Sequence, residues 1–317
     1  MRRGSSGINC LIGINKPCGL TSHDVVGRVR RMLGERRVGH AGTLDPAASG
    51  VMLVGVGQAT RLLGLLTLDD KRYVADISFG TETTTDDSEG EVTREAKVPA
   101  RLAEPAVAEV VVASLKGPCL QVPPAYSAIS VNGKRSYARA RAGEEVELAP
   151  RQVMIHEAQL LGVEQGEPLV WKCELHVSKG TYIRSIARDL GRSLQTAAHL
   201  SGLCRTASGP VDLDRCLTLE ELEERGAQRI MEAALDPVFV LGCATHELND
   251  YELDAVRVGK QFSCKNVRDS NGLTRLPAVG ERVCLTREGS LMGVWRQGEA
   301  RLACETNFPQ GIGGVAL

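Results

Sequence analysis

One short stretch of this chain concentrates groups that could do chemistry: Arg36-Arg37-Val38-Gly39-His40-Ala41-Gly42-Thr43-Leu44-Asp45-Pro46-Ala47-Ala48-Ser49-Gly50. Its single carboxylate, Asp45, stands between Leu44 and Pro46, ahead of the apolar run Val51–Val56. Proline biases the residue before it away from helix, so Asp45 should project from an extended turn. A carboxylate displayed in this way could serve as a nucleophile or a base. An Asp before Pro is equally an ordinary turn former. Gly39, Gly42 and Gly50 permit unusual backbone angles and close approach. A second group lies at Arg184, Arg188 and Arg192, which recur at helical spacing down one face. Such a stripe is either a solvated helix face or a set of guanidiniums, one of which could keep a nearby carboxylate ionised. Tyr73 opens an alternating segment whose same-face neighbours, Ala75, Ile77 and Phe79, are apolar, which reads as a core tyrosine.

Other chemistries find no support. The ten cysteines are scattered, with no C-x-x-C pair, so neither a zinc site nor a disulfide scaffold is expected and the thiols read as reduced. No P-loop or dinucleotide fingerprint appears, so neither cofactor nor metal is expected. Hydrophobic residues are 43% and charged residues 24%, an ordinary globular composition, and the net charge is -1. That excludes nucleic-acid binding by bulk positive charge and leaves local basic patches open. Aromatics are only 3%, so any base contact rests on one or two rings. No apolar run is long enough to span a membrane, and the N-terminus does not read as a signal peptide.

Several elements must position these groups. A short strand is expected over Leu11–Ile14. Ser22 is expected to cap a helix whose stripe is Val25, Val26, Val29, Met32 and Leu33. Its other faces and the residues after it carry Arg28, Arg30, Arg31, Arg36 and Arg37, a solvated surface or a phosphate track. A polar loop is expected over Gly39–Gly50 and a buried strand over Val51–Val56. A helix is expected over Gln58–Leu68, a half-buried strand over Tyr73–Phe79 and an acidic loop over Thr81–Gly90. Asn132-Gly133 signals a hairpin. Trp171–Val177 alternates as a strand and turns at Ser178-Lys179-Gly180 into the helix Ile183–Leu194 that carries the arginine stripe. Thr218-Leu219-Glu220-Glu221 is a capping box. Asp236-Pro237 marks a boundary, and short strands follow at Arg282–Thr286, Leu291–Gln297 and Ala300–Glu305.

The Gly39–Gly50 stretch closely resembles the G-H-x-G-x-L-D-P-x-A-x-G signature of the TruB family of tRNA pseudouridine synthases, carried here by Gly39, His40, Gly42, Leu44, Asp45, Pro46, Ala48 and Gly50. Ile14-Asn15-Lys16-Pro17 with Gly19, Thr21 and Ser22 resembles the family's opening motif, and Lys71-Arg72-Tyr73 its tyrosine motif. Gln121-Val122-Pro123-Pro124 with Tyr126-Ser127-Ala128, then Asn132-Gly133-Lys134, match a further block. Ser178-Lys179-Gly180-Thr181-Tyr182-Ile183-Arg184 and Leu203 with Arg205-Thr206 complete the series. Two positions depart from the pattern: Ser130 where many relatives carry lysine, and Cys204 in place of a commonly basic residue.

The resemblance implies a redox-neutral isomerase that turns uridine into pseudouridine in the T-arm loop of tRNA, at position 55. Uracil leaves ribose C1′, turns and rejoins through C5. It implies Asp45 as the catalytic residue, Arg184 as its partner, and Tyr73 with its ring against the target uracil. It also implies extrusion of the base, with His40 toward the RNA that fills the vacated space. Leu203 would close the pocket, Tyr182 belongs to the Arg184 motif, and Lys16, Lys134 and Lys179 are phosphate or structural contacts. Arg188 and Arg192 stay undecided. The fold expected is α+β: a mixed, largely antiparallel twisted sheet with flanking helices over residues 1–240, and a small β-rich PUA-like RNA-binding domain over 241–317. The partner expected is tRNA, for a cytoplasmic monomer needing no protein partner. A tRNA-folding chaperone and a synthase acting on other RNAs are the alternative readings.

Overall fold

The structure is a computed structural model that describes residues 6–315 apart from 68, 69, 128, 132, 133, 137, 138, 140, 141, 143 and 145–147. The chain divides into two compact units, Met1–Pro46 with Gly50–Leu68 and Ala207–Leu317, and Ala47–Ser49 with Asp69–Thr206.

In the first unit the strand Cys10–Lys16 pairs antiparallel with Ser49–Val56 and parallel with Cys216–Leu217. Both long strands are apolar almost throughout because both of their faces are covered. Cys10, Ile12, Ile14, Met52, Val54 and Val56 face a core closed by Val25, Val26, Val29 and Leu33 of the helix Ser22–Leu33. Each such fully buried aliphatic side chain contributes about 1.5–3 kcal/mol. Leu11, Val51 and Leu53 face the other way, onto Cys284, Leu291, Val294, Phe308 and Ile312. Those residues come from a separate six-stranded sheet formed by the C-terminal segment, in which Arg282–Arg287, Ser290–Gln297 and Leu302–Gly313 run antiparallel in sequence. The C-terminal sheet thus shares a core with the N-terminal strands. Arg61 donates to the Asn307 carbonyl at 2.7 Å and reinforces the join.

Three local expectations are corrected here. The helix cap is Thr21, whose hydroxyl accepts from Asp24 N while Asp24 accepts from Thr21 N. Ser22 is turned inward for another task. Residues 39–41 are not loop: Val38–Ala41 is a strand, paired with the second half of Ser49–Val56. Gln58–Leu68 opens as a 3-10 turn over Gly57–Leu62 before one α-turn at Leu63–Leu66.

The second unit is built on an antiparallel run in which Lys71–Phe79, Val170–Val177, Arg151–Glu164 and Gly117–Gln121 lie side by side, with Ala198–Ser208 on the other edge of Lys71–Phe79. The alternation read in the sequence is real: Tyr73, Ala75, Ile77 and Phe79 are buried, as are Trp171, Cys173, Leu175 and Val177 opposite them. Phe79 meets Trp171 edge-on at 4.7 Å. The helix Ile183–Ser193 buries Ile183, Ile186, Ala187 and Leu190. Asn132 and Gly133 lie outside the described residues, but their flanks, Ser130-Val131 and Lys134-Arg135, pair antiparallel as a hairpin requires. Among the described residues no cysteine is in a disulfide, and no helix is long and apolar enough to cross a membrane.

Candidate active site

The Asp45 loop is anchored from both sides inside the first unit. Ser22 Oγ donates to the Leu44 carbonyl and accepts from the Leu44 amide, each at 2.9 Å. Gly19 N donates to the Pro46 carbonyl at 2.8 Å. Lys16 is fully buried, and its Nζ donates to the carbonyls of Pro17 at 2.9 Å, Leu20 at 2.7 Å and Pro46 at 3.3 Å. A buried ammonium is satisfied by such carbonyl dipoles. The opening Lys-Pro motif and the Asp45 motif are therefore one construction. The residues on either side of Asp45 are fixed by the main chain and side chains of 16–22. Gly42 (φ 77) and Gly50 (φ 108) take left-handed angles at the two ends of the loop that side chains rarely adopt. Asp45 itself is half-buried, and His40 sits half-buried on its strand opposite Val54.

In the basic cluster on and after the helix Ser22–Leu33, Arg28, Arg30 and Arg37 have internal partners. Arg30 donates to the Val38 carbonyl at 2.7 Å, Arg28 pairs with Glu223 at 3.1 Å, and Arg37 approaches Glu35 at 3.7 Å.

The second unit holds Tyr73 and Arg184. Tyr73 is buried, on the same sheet face as Leu175 across the ladder. Arg184 lies in the first turn of its helix and is buried. Its Nη1 donates to the Thr85 carbonyl at 2.9 Å and stands 3.5 Å from Asp87 Oδ2, while Nη2 donates to the Tyr126 carbonyl at 3.0 Å. Cations are disfavoured at a helix N-terminus, and within this unit Asp87 is an anionic group beside Arg184. Asp87 is in turn held by the Thr85 hydroxyl and by Glu89 N.

The arginine stripe is paired along its length, and Arg184 and Arg188 are buried. Arg188 meets Asp86 at 2.7 Å, and Arg192 grips both oxygens of Glu82, with Nη2 at 2.6 Å. The Thr81–Gly90 segment, expected as an acidic loop, thus runs antiparallel to the stripe and answers it charge for charge. Glu82 is buried, yet the guanidiniums of Arg192 and Arg94 overcome the effect of burial and hold its carboxyl below the ordinary range. Sequence reasoning missed Glu82, Asp86 and Asp87. The available signal was three arginines at helical spacing with a segment of matching acidity elsewhere in the chain.

The remaining expected site residues occupy varied settings. The main chain of Tyr182 is clamped by the Gln121 side chain, which accepts from Tyr182 N at 2.8 Å and donates to its carbonyl at 3.0 Å. Lys179 is exposed at the turn before the helix, and Leu203 is half-buried on Ala198–Ser208, its carbonyl facing the Ser49 hydroxyl at 3.5 Å. Lys134 begins the second strand of its hairpin.

This architecture is the pseudouridine synthase fold. It matches a chain of a crystallised Cbf5-Nop10-Gar1 complex with a TM-score of 0.69 at 22% identity, covering 96% of this chain and 87% of that one. Residues 30–183 match the family profile described as TruB family pseudouridylate synthase (N terminal domain), and residues 184–240 that of the tRNA pseudouridylate synthase B C-terminal domain. Over 256 residues the chain is 46% identical to tRNA pseudouridine synthase B of Paenarthrobacter aurescens, covering 80% of each. Over 298 residues it is 39% identical to the protein of that name from Geobacillus thermodenitrificans, covering 91% of this chain and 94% of that one. The chain belongs to the TruB family of pseudouridine synthases, which are isomerases.

Proposed function

We propose that this chain converts uridine 55 in the T-arm loop of tRNA to pseudouridine, with Asp45, Tyr73 and Arg184 as its catalytic set. The observation that carries the reading is the anchored Asp45 loop: Lys16, Gly19 and Ser22 together fix both neighbours of a lone carboxylate. The relatives named tRNA pseudouridine synthase B, matched over most of both chains, supply the substrate class.

Asp45 acts ionised, as a nucleophile on the sugar or base or as a base toward the ribose. Uracil leaves C1′, turns and rejoins through C5. Tyr73 offers its ring to the extruded uracil. His40 braces the RNA that the base has left, Leu203 closes the pocket, and Tyr182, Lys134 and Lys179 contact the RNA. Lys16 contributes by holding the loop. The C-terminal sheet serves as a PUA-like RNA-binding module, and the protein works in the cytoplasm as a monomer without a protein partner. Binding through local patches should weaken with salt. The direct test is to incubate the purified chain with unmodified tRNA and map pseudouridine. Conversion at position 55 supports the reading, and an unmodified tRNA after prolonged incubation with folded protein rejects it.

A further inference from the structure

Arg184 is held by groups from two segments outside its own helix: Thr85 and Asp87 of the acidic segment, and Tyr126 of the segment 122–126, which contains Pro123-Pro124. One turn further along, Arg188 grips the same two segments. Its Nη1 donates to Asp86 Oδ2 at 2.7 Å and its Nη2 to the Val122 carbonyl at 2.9 Å, while Nε donates to Asp189 Oδ1 at 2.8 Å. Ser185 adds a bond to the Val122 carbonyl at 2.9 Å. Arg188 and Asp86 are 8% and 9% exposed.

The backbone at Asp86 is adapted to this contact. In extended chain, adjacent side chains point to opposite sides. Asp86 instead takes φ 61, a left-handed angle that Asp tolerates better than most residues, and it and Asp87 reach arginines one helical turn apart. Burial holds the Asp86 carboxyl above the ordinary range, and the Arg188 guanidinium offsets only part of that rise. An apolar pair would fill this space without that desolvation. It would not tie both segments to the helix in a fixed register.

We propose that Arg188, through Asp86 and Val122, is a positioning residue for the reaction: it sets where the Arg184 guanidinium and the Asp87 carboxylate stand, without itself touching substrate. This rests on the proposed role of Arg184. The test compares Arg188→Met, Arg188→Lys and Asp86→Asn with Arg192→Lys, whose side chain is 56% exposed at the outer end of the stripe. Steady-state kinetics on tRNA, tRNA affinity and melting temperature are measured for each, with assays well below the melting point.

Arg188→Met and Asp86→Asn should lower kcat by about tenfold or more, with tRNA affinity little changed. Arg188→Lys should recover part of the loss, and Arg192→Lys should stay near wild type. Combined with Arg184→Lys, Arg188→Met should add little further loss, because both act through one group. Additive losses, or folded variants of lowered melting temperature with wild-type kcat, would overturn the proposal. Asp86→Asn keeps shape and tolerance of the left-handed angle, so it decides the matter if Arg188→Met fails to fold. Inactive wild-type protein would instead reject the functional reading.

Discussion

Lys16 donates a hydrogen bond to the carbonyl of Pro46, the residue next to Asp45, from a position with no solvent exposure. A lysine at the end of the first strand is thereby part of the loop that carries the lone carboxylate. Lys16→Met keeps the stem and removes the donor from the carbonyls of Pro17, Leu20 and Pro46. An unsatisfied buried polar group costs roughly 1–3 kcal/mol, so a loss of about 3 kcal/mol is expected in urea unfolding, with kcat falling more than KM rises in the folded fraction. An unchanged midpoint and kcat would show that the loop holds its shape without the ammonium.

Asp45 is the only carboxylate in its loop. Asp45→Asn preserves size and the anchors at Leu44 and Pro46, so turnover should vanish while tRNA affinity is retained. Activity within about tenfold of wild type, roughly 1.4 kcal/mol of barrier, would remove Asp45 from the mechanism.

Arg184 uses both terminal nitrogens at once, for Thr85 and Tyr126. A lysine keeps the charge but has no planar fork. Arg184→Lys is expected to cut kcat by an order of magnitude or more, about 1.4 kcal/mol, with a smaller change in KM. A variant raised only in KM would make Arg184 a binding residue.

His246 in the C-terminal sheet faces two acceptors, with Nδ1 2.9 Å from the Asn266 carbonyl and Nε2 3.1 Å from Glu252 Oε2. A ring protonated on both nitrogens satisfies both contacts. Its pKa is raised from 6.5 to about 9, first by hydrogen bonding with the Cys264 sulfur and, against burial, also by Glu252. The folded value is above the unfolded one, so this stabilisation is complete below about pH 6.5 and is lost as pH rises through about 9. Urea midpoints measured across that window should fall more steeply for wild type than for His246→Gln. Parallel curves would mean the ring is neutral in the folded protein.

The shared core also predicts what a truncation does. Deleting residues 241–317 uncovers Leu11, Val51, Leu53 and Leu62, which pack with Leu291, Val294, Phe308 and Ile312. The fragment should lose its cooperative melt by circular dichroism, and its loss of activity would report unfolding. A cooperatively folded fragment raised only in KM would instead support a separable RNA-binding tail.

Much of this protein was legible in one dimension. Period-two and helical spacing placed Tyr73–Phe79, Trp171–Val177 and the helix from Ile183, because apolar periodicity is a local record of which face is buried. The motifs around Lys16, Asp45 and Arg184 carried the family, since each is a short run of types in fixed order. Tertiary structure alone decided the partners. Ser22 reads as a cap because serine is a good one, yet Thr21 with Asp24 takes that task and leaves Ser22 to hold Leu44. The Thr81–Gly90 segment reads as a loop because it is polar and acidic and shows no apolar periodicity. It is also the counter-charge of a helix far along the chain, which spacing within either segment cannot reveal. The same holds for the C-terminal sheet. Its strands were readable, but the face they bury against the first strand follows from long-range packing, to which local sequence is blind.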